Sequence, residues 1–363
     1  MGARPPLAVG PRHPDPVRRR GGAAAHPGAG GEPRRVPAAA VDPDADQRHT
    51  CRRHDVKLPL RILNTLVWRG IPPHCSLGAP MVTQWLQGLL GRDPVLRDDC
   101  GLVLLGEVAS VTVRHPHLSC VPDVPYQHLE TLGCIWRQSV SSYLDRGERA
   151  RTFASLLHVD GDGRAYVAEL IRASGSDPDT WLRRLFGVVL DPLMHVLYNY
   201  GITFNPHGQN TLIGFDADEA PRRLFMKDLI DDVCVSHGDV PERGPEPDAH
   251  DHVLPRKHPS VIRQHVVDQV FVGHFRYLAP LLEEQLGVPE RRFWHLVRET
   301  VVAYHDRWPG LARRFREYDL LAPELPRYAL NRDRLVVIRY TDRARRHALQ
   351  PNGTVTNPLV AFG

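Results

Sequence analysis

The stretch "DPDTWLRRLFGVVLDPLMHVLYNYG", residues 177–201, constrains the fold more than any other part of the chain. Apolar residues recur through it at helical spacing. Asp177 or Asp179 is placed to cap the first turn, Pro178 suits a position whose N–H has no partner anyway, and Gly201 suits a left-handed stop. Pro192 in the interior predicts a kink, because it removes a hydrogen bond and crowds the preceding turn. The helix runs directly into "ITFNPHGQNTLIGFDADEAPRRLFM", which reads as two or three strands joined by tight turns at 206–208 and 216–220. Long helix and hairpin together predict an α+β chain.

Other segments read less sharply. "HDVKLPLRILNTLVWRGIPP" is a strand or a short buried helix ending at Gly70, "PMVTQWLQGLLG" a short helix closed by Gly91, and "GLVLLGEVASVTV" a buried strand or strand pair kinked at Gly106. "HLETLGCIWRQSVSSYL" carries apolar residues at helical spacing. "RTFASLLHVDGDGRAYVAELIRAS" predicts a strand, a turn at 160–163 and a helix. After a polar, Pro-rich loop, "SHGDVPERGPEPDAHDHVLPRKHP", two helical segments follow, "SVIRQHVVDQVFVGHFRYLAPLLEEQLG" and "PERRFWHLVRETVVAYHDRW". "RYALNRDRLVVIRYTD" predicts a strand flanked by loops.

At 363 residues the chain exceeds the usual size of one core, so two or three lobes are expected. Residues 1–50 hold no Ile, Phe, Tyr or Lys and are rich in Arg, Pro, Ala and Gly, a composition expected to stay disordered. Folded protein is expected from about Asp55. The balance of 46 Lys and Arg against 42 Asp and Glu does not imply nucleic acid. Six cysteines without a C-x-x-C pair suggest neither zinc nor a disulfide framework. No run approaches the roughly 18 apolar residues of a bilayer span, and the N-terminus lacks a signal-peptide core, so a cytoplasmic, membrane-free protein is expected.

The candidate chemistry lies in "PHGQN" and "RLFMKD". His207, Gln209 and Asn210 offer donors and acceptors to a polyoxyanion around Gly208, which lets the backbone turn sharply, and Asp228 about one hairpin later is a candidate ligand for Mg²⁺ against phosphates. The plainer alternative is that His207 and Asn210 satisfy turn backbone, that Asp231 and Asp232 are loop solvation, and that Lys227 and Asp228 form an exposed pair. Lys57 and Arg69 sit in apolar segments, where long cationic side chains often cover surface with only their heads in water.

"PHGQN" followed by "RLFMKD" resembles the signature of the NRPS-independent siderophore synthetases, the IucA/IucC, aerobactin-synthetase-like family, whose pattern runs E-x-H-G-Q-N and then R-D or K-D. "VKLPLRILNTLVWRG" is similar to that family's V-K-L segment, and "LNRDRLVVIRY" and "NPL" also fit, so the resemblance spans about Val56 to Leu359. It implies adenylation of a carboxylate of citrate or a related polycarboxylate with ATP and Mg²⁺, then acyl transfer to a polyamine, a hydroxylated amine or a hydroxyl. It also implies roles: Lys57 on the nucleotide phosphates, Thr65 and Arg69 on phosphate or substrate carboxylates, His207 on the carboxylate being activated. Gln209, Asn210 and Asp228 fall on the ATP side, with Asp228 as metal ligand. The implied architecture is a remnant of a nucleotide-binding fingers lobe at 51–128 and a larger palm lobe of antiparallel sheet and helices at 129–363, with a FhuF-like C-terminal region, in a homodimer.

Two family motifs, S-x-R-T and H-P-x-x-K-x-R-x-G, have no counterpart before Val56, and Asn205 stands where the pattern has glutamate. Residues 1–50 are accordingly expected to be a truncated or frame-shifted remnant of a longer reading frame. Two rivals stay open at this level. A kinase-like phosphotransferase is suggested by H-G-x-N with a later Asp, against which Gln209 stands where the base should be Asp. A remnant that binds substrate without adenylating it is the other.

Overall fold

The computed structural model of the chain describes residues 44–45, 54–64, 67–238, 240–247, 253–328 and 351–362. The long helix is Pro178–Tyr200. Asp177 caps it, its Oδ1 accepting the Thr180 N–H at 3.0 Å, and Gly201 ends it at φ 59°. It continues through Pro192. Leu182, Phe186, Val189 and Leu197 are fully buried along it.

Three sheets carry the rest. The first has the order β1 (Asp44–Ala45), β2 (Asp55–Lys57), β7 (Gly133–Arg137), β6 (Glu107–Thr112), antiparallel throughout. The second runs β5 (Val103–Leu104), β11 (Pro221–Met226), β10 (Thr211–Phe215), β8 (Arg149–Thr152), with β5 joined in parallel. The third is β13 (Arg256–Lys257), β12 (Cys234–Ser236), β9 (Ile202–Thr203). Two two-stranded antiparallel pairs stand apart, β3 (Leu60–Asn64) with β4 (Val67–Arg69), and β14 (Glu324–Pro326) with β15 (Thr354–Thr356). Helix Pro178–Tyr200 packs against β11 on one side and helix Glu290–Arg307 on another. One apolar core runs from Ile71 to Leu359.

Several expectations change. "GCIWR" is strand β7, not helix: Ile135 and Arg137 are buried while Cys134 and Trp136 between and beside them are less so, a period of two imposed by its place between β2 and β6. The helix read as ending at Gly91 starts at Pro73 and reaches Arg92, stopping where Asp93 turns its carboxylate onto the Val95 N–H at 2.9 Å. Asp44–Ala45, inside the stretch read as disordered, pairs with β2. The helical segment after the Pro-rich loop has a π-helical middle, Val267–Phe275. Most of the strand read at 327–342 lies outside the described residues, as do most of residues 1–50.

A buried polar network ties the end of helix Pro73–Arg92 to the two long helices. Asp93 Oδ2 accepts from His195 Nε2 at 2.9 Å and from the Tyr200 hydroxyl at 2.6 Å, and Tyr304 donates to His195 Nδ1 at 2.9 Å. Burial alone would raise the Asp93 carboxyl, but the Tyr200 hydroxyl, His195 and the backbone N–H groups of Leu96 and Val95 hold it below the ordinary carboxylate value. A carboxyl depressed in this way contributes stability above its unfolded-state pKa and loses it as pH falls through the folded value. Asp93→Asn should therefore lower stability at neutral pH by about 2–3 kcal/mol and should show a shallower loss than wild type below about pH 4, both read from urea titrations across pH.

Candidate active site

The antiparallel register of β10 and β11 sets Thr211 opposite Met226, and the Lys227 N–H continues the ladder onto the Asn210 carbonyl at 3.0 Å. Asn210 and Asp228, 18 residues apart in sequence, thus become neighbours: Asn210 Nδ2 donates to Asp228 Oδ2 at 3.2 Å and also to Asp232 Oδ2. On the other side of the loop, the Gly208 carbonyl accepts the Ala154 N–H at 3.1 Å, and a Cβ on Gly208 would lie 2.8 Å from that of Ala154. Only glycine lets the loop seat this close to the turn after β8. His207 holds the turn through its carbonyl, which accepts from Asn210 at 3.0 Å and Thr211 at 3.1 Å, and its Nε2 lies 3.6 Å from Asp232 Oδ2. Asn205 donates through Nδ2 to Asp232 Oδ1 at 3.1 Å. A glutamate at this position would face Asp232 as a second acid, whereas the amide supplies a donor.

Lys57 enters from the first sheet. It is buried, and its ammonium pairs with Asp228 Oδ1 and, at 2.8 Å, with Asp231 Oδ2. Asp228 stands at φ 66° and ψ 51°, a left-handed conformation that costs a non-glycine residue about 1–3 kcal/mol and clusters at functional sites. It opens the one-turn helix Leu229–Asp232 that carries both other aspartates. Beneath them is Glu107, first residue of β6 and fully buried. Its Oε2 accepts the Ile230 N–H at 3.0 Å, and its Oε1 has no hydrogen-bond partner among the described residues. Burial opposes the Lys57 charge, but Asp228, Asp231 and Glu107 outweigh it and hold the ammonium well above its ordinary pKa. Burial pushes the Glu107 carboxyl up to about 8 despite Lys57 nearby.

The cluster is graded in depth. Glu107 and Lys57 are buried, Asp228, Asp232 and His207 are half-buried, and Asp231 and Gln209 are exposed. Its carboxylates and the Asn210 carboxamide offer only hard oxygen ligands, the set that suits Mg²⁺. Among the described residues no three His, Cys, Asp or Glu side chains form a ready metal cage. Asp228 and the Asn210 carbonyl oxygen would suit an ion that keeps phosphate oxygens and water among its ligands, as Mg²⁺ does with nucleotides.

Of the residues singled out in the sequence, Lys57, His207, Asn210 and Asp228 are gathered here. Gln209 is exposed beside them, its backbone N–H reaching His207 Nδ1 at 3.3 Å. Arg69 is not part of the cluster: it lies exposed at the end of β4, paired through the strand with Leu60, and its side chain makes no hydrogen bond or ion pair among the described residues. Thr65 lies outside the described residues. Asp231 and Asp232 are not loop solvation but the partners of Lys57, Asn210 and His207, and Lys227 is buried rather than half of an exposed pair. Glu107 was not foreseen. An acidic residue inside an otherwise apolar run, "LVLLGEVASV", is the signal that marks it.

Residues 42–158 match the IucA / IucC family and residues 179–346 match the ferric iron reductase FhuF-like transporter family. The rhizobactin siderophore biosynthesis protein RhbF of Rhizobium meliloti (strain 1021) is 41% identical over 307 residues, 85% of this chain and 51% of that protein. The aerobactin synthase of Vibrio mimicus is 32% identical over 309 residues, again 85% and 51%. Among solved structures, aerobactin synthetase IucC from a hypervirulent pathotype of Klebsiella pneumoniae superposes with a TM-score of 0.73 at 28% identity, over 88% of this chain and 52% of that one. The chain spans about half the length of the curated relatives it matches. Among the described residues no helix is long and apolar enough to cross a membrane.

A carboxyl raised by burial keeps its proton in the folded chain where the unfolded chain has lost it, so stability falls as pH rises between the ordinary carboxylate value and about 8. Glu107→Gln keeps an acceptor for the Ile230 N–H but cannot titrate. Urea midpoints measured from pH 5 to 8 should decline less steeply in this variant than in wild type. Equal slopes would show that Glu107 ionises normally.

Proposed function

The chain belongs to the IucA/IucC family of NRPS-independent siderophore synthetases, and on that premise we propose that it acts in siderophore biosynthesis as an ATP-dependent synthetase. It adenylates a carboxylate of citrate or a related polycarboxylate and passes the acyl group to an amine or hydroxyl nucleophile. The observation that carries this reading is the meeting of Lys57, from β2, with Asp228, Asn210 and His207, from the ends of the β10–β11 hairpin. Residues of two distant segments share one solvent-reaching cluster that combines a cation, carboxamides, an imidazole and oxygen ligands.

A citrate-like trianion and ATP together carry about seven negative charges, so their approach requires fixed positive charge and aimed donors. The Lys57 ammonium faces the phosphates. His207, its Nε2 at the open side of Asp232, orients the carboxylate under activation, and the Asn210 and Gln209 amides hold the nucleotide side. A carboxylate oxygen then attacks the α-phosphorus and pyrophosphate leaves. The nucleophile attacks the acyl carbon, AMP leaves, and the proton released by the amine passes to water. Asp228 would hold Mg²⁺, which would supply charge neutralisation for the leaving pyrophosphate. These side chains do no covalent chemistry, so positioning and charge stabilisation supply most of the rate. In this reading 51–128 is the end of a fingers lobe, 129–363 a palm lobe, and the protein a cytoplasmic homodimer.

Pyrophosphate release should be measured with citrate, 2-oxoglutarate and succinate, each with polyamines or hydroxylated diamines. At least one polycarboxylate should give release, and His207→Ala should lower it by roughly 100-fold with an unchanged melting temperature. Release of ADP in place of AMP and pyrophosphate would move the protein to the phosphotransferases. Citrate binding by calorimetry without ATP binding would leave a carboxylate-binding protein that does not adenylate.

A further inference from the structure

The first sheet carries its polar residues on its covered face and its apolar residues on its open one. Cross-strand partners share a face, so the register puts Lys57, Ser110, Glu107 and Arg137 on one side. Helix Pro73–Arg92 covers that side, and the Ser110 hydroxyl donates to its Ser76 carbonyl. The other side holds two rows, Ala45, Val56, Trp136 and Ala109, then Cys134 and Val111, all of them apolar. Val111 is 46% exposed and Val113, just beyond the strand, 52%, while Val56, Trp136 and Cys134 are half-buried. Strand β6 is also an edge, with β7 its one strand partner among the described residues. An antiparallel sheet with one face in water normally turns apolar residues inward and polar ones outward. Here the inward face is given to the ion cluster, and the outward face is built as half of a core that needs a second layer.

We propose that this outer face seats the half of the family's fold that the chain does not match, through apolar packing on Val111, Trp136 and Val56 and strand pairing along β6. Two observations select that occupant. The chain spans about half the length of the curated relatives it matches, so a polypeptide of similar size completes their fold. The family motifs without a counterpart here, S-x-R-T and H-P-x-x-K-x-R-x-G, precede the V-K-L segment, and Val56 and Lys57 of that segment are strand β2. A polypeptide that leads into β2 arrives at this sheet and not at a remote surface. A second copy of the chain could bury the same side chains, but it brings no strand that leads into β2. The free N–H and C=O groups along an edge strand supply the affinity of such an addition, and the apolar rows supply its register. Val56 and Lys57 are neighbours on one strand, so docking on the outer face steadies the strand that carries the cation of the site. This docking follows from family membership and sheet register, and it holds whatever reaction the site performs.

The full 363-residue chain is co-expressed with the part of RhbF that it does not match, one of the two tagged, and the same assay with RhbF's own remaining part establishes that the reagent folds. The two should co-purify. In the complex, deuterium uptake at 107–113 and 133–137 should slow roughly tenfold or more, and that of exposed β15 should stay unchanged. Val111→Asp and Val113→Asp place a charge in the proposed contact, and each should reduce co-purification by about tenfold or more. Their melting temperatures should match wild type, because both side chains are already exposed. Val261→Asp, a comparably exposed apolar position on helix Pro259–Val266, should leave the complex intact. Absence of co-purification overturns the proposal, as does a complex that survives both charged variants. A chain that dimerises alone with the same protection of 107–113 also overturns it, and gives the face to a second copy.

Discussion

One ammonium between two carboxylates connects the two halves of the cluster. Lys57 belongs to a strand of the first sheet, while Asp228 and Asp231 belong to the chain leaving β11 in the second. The ion pair lies in a buried setting, where a charge without its partner would cost several kcal/mol. It therefore specifies how the strand and the turn meet: any slip of either leaves an uncompensated charge inside. Glu107 reinforces the same junction from below by holding the Ile230 N–H in the middle of the turn.

The scaffold around this junction is built to stay fixed. Helix Pro178–Tyr200 presses on β11, whose last residue lies two positions before Asp228, and the Asp93, His195, Tyr200 and Tyr304 network anchors that helix to its neighbours. Buried polar networks of this kind favour one arrangement of helices when every member has a partner. The Gly208 contact with Ala154 does the same for the loop at 206–210, at the scale of a single backbone approach. Left-handed Asp228 then stands as local strain held by well-packed surroundings on both sides.

Asn205 shows how a departure from a family pattern is absorbed. In place of an acid it gives Asp232 a hydrogen-bond donor, and Asp232 in turn faces Asn210 and His207. Relative to a glutamate, the amide lowers the negative charge of the cluster by one unit. The curated relatives are about twice as long as this chain, which matches roughly half of their length.

The sequence alone determined what local rules decide. Asp177, Pro178 and Gly201 bounded the long helix through backbone chemistry that acts within a few residues, and the spacing of "PHGQN" and "RLFMKD" across one hairpin placed His207, Asn210 and Asp228 together. Tertiary structure decided what depends on residues far apart. Strand β7 lost its helical spacing to the pairing demanded by β2 and β6, and Asp231 and Asp232 became ion partners because Lys57 and the Asn210 loop arrive from elsewhere. Glu107 became a buried acid because β6 carries it beneath a turn more than a hundred residues later in the chain. Hydrogen-bond registers and caps are encoded by neighbours in sequence, whereas the environment of a buried charge is set by whichever segments the fold brings around it.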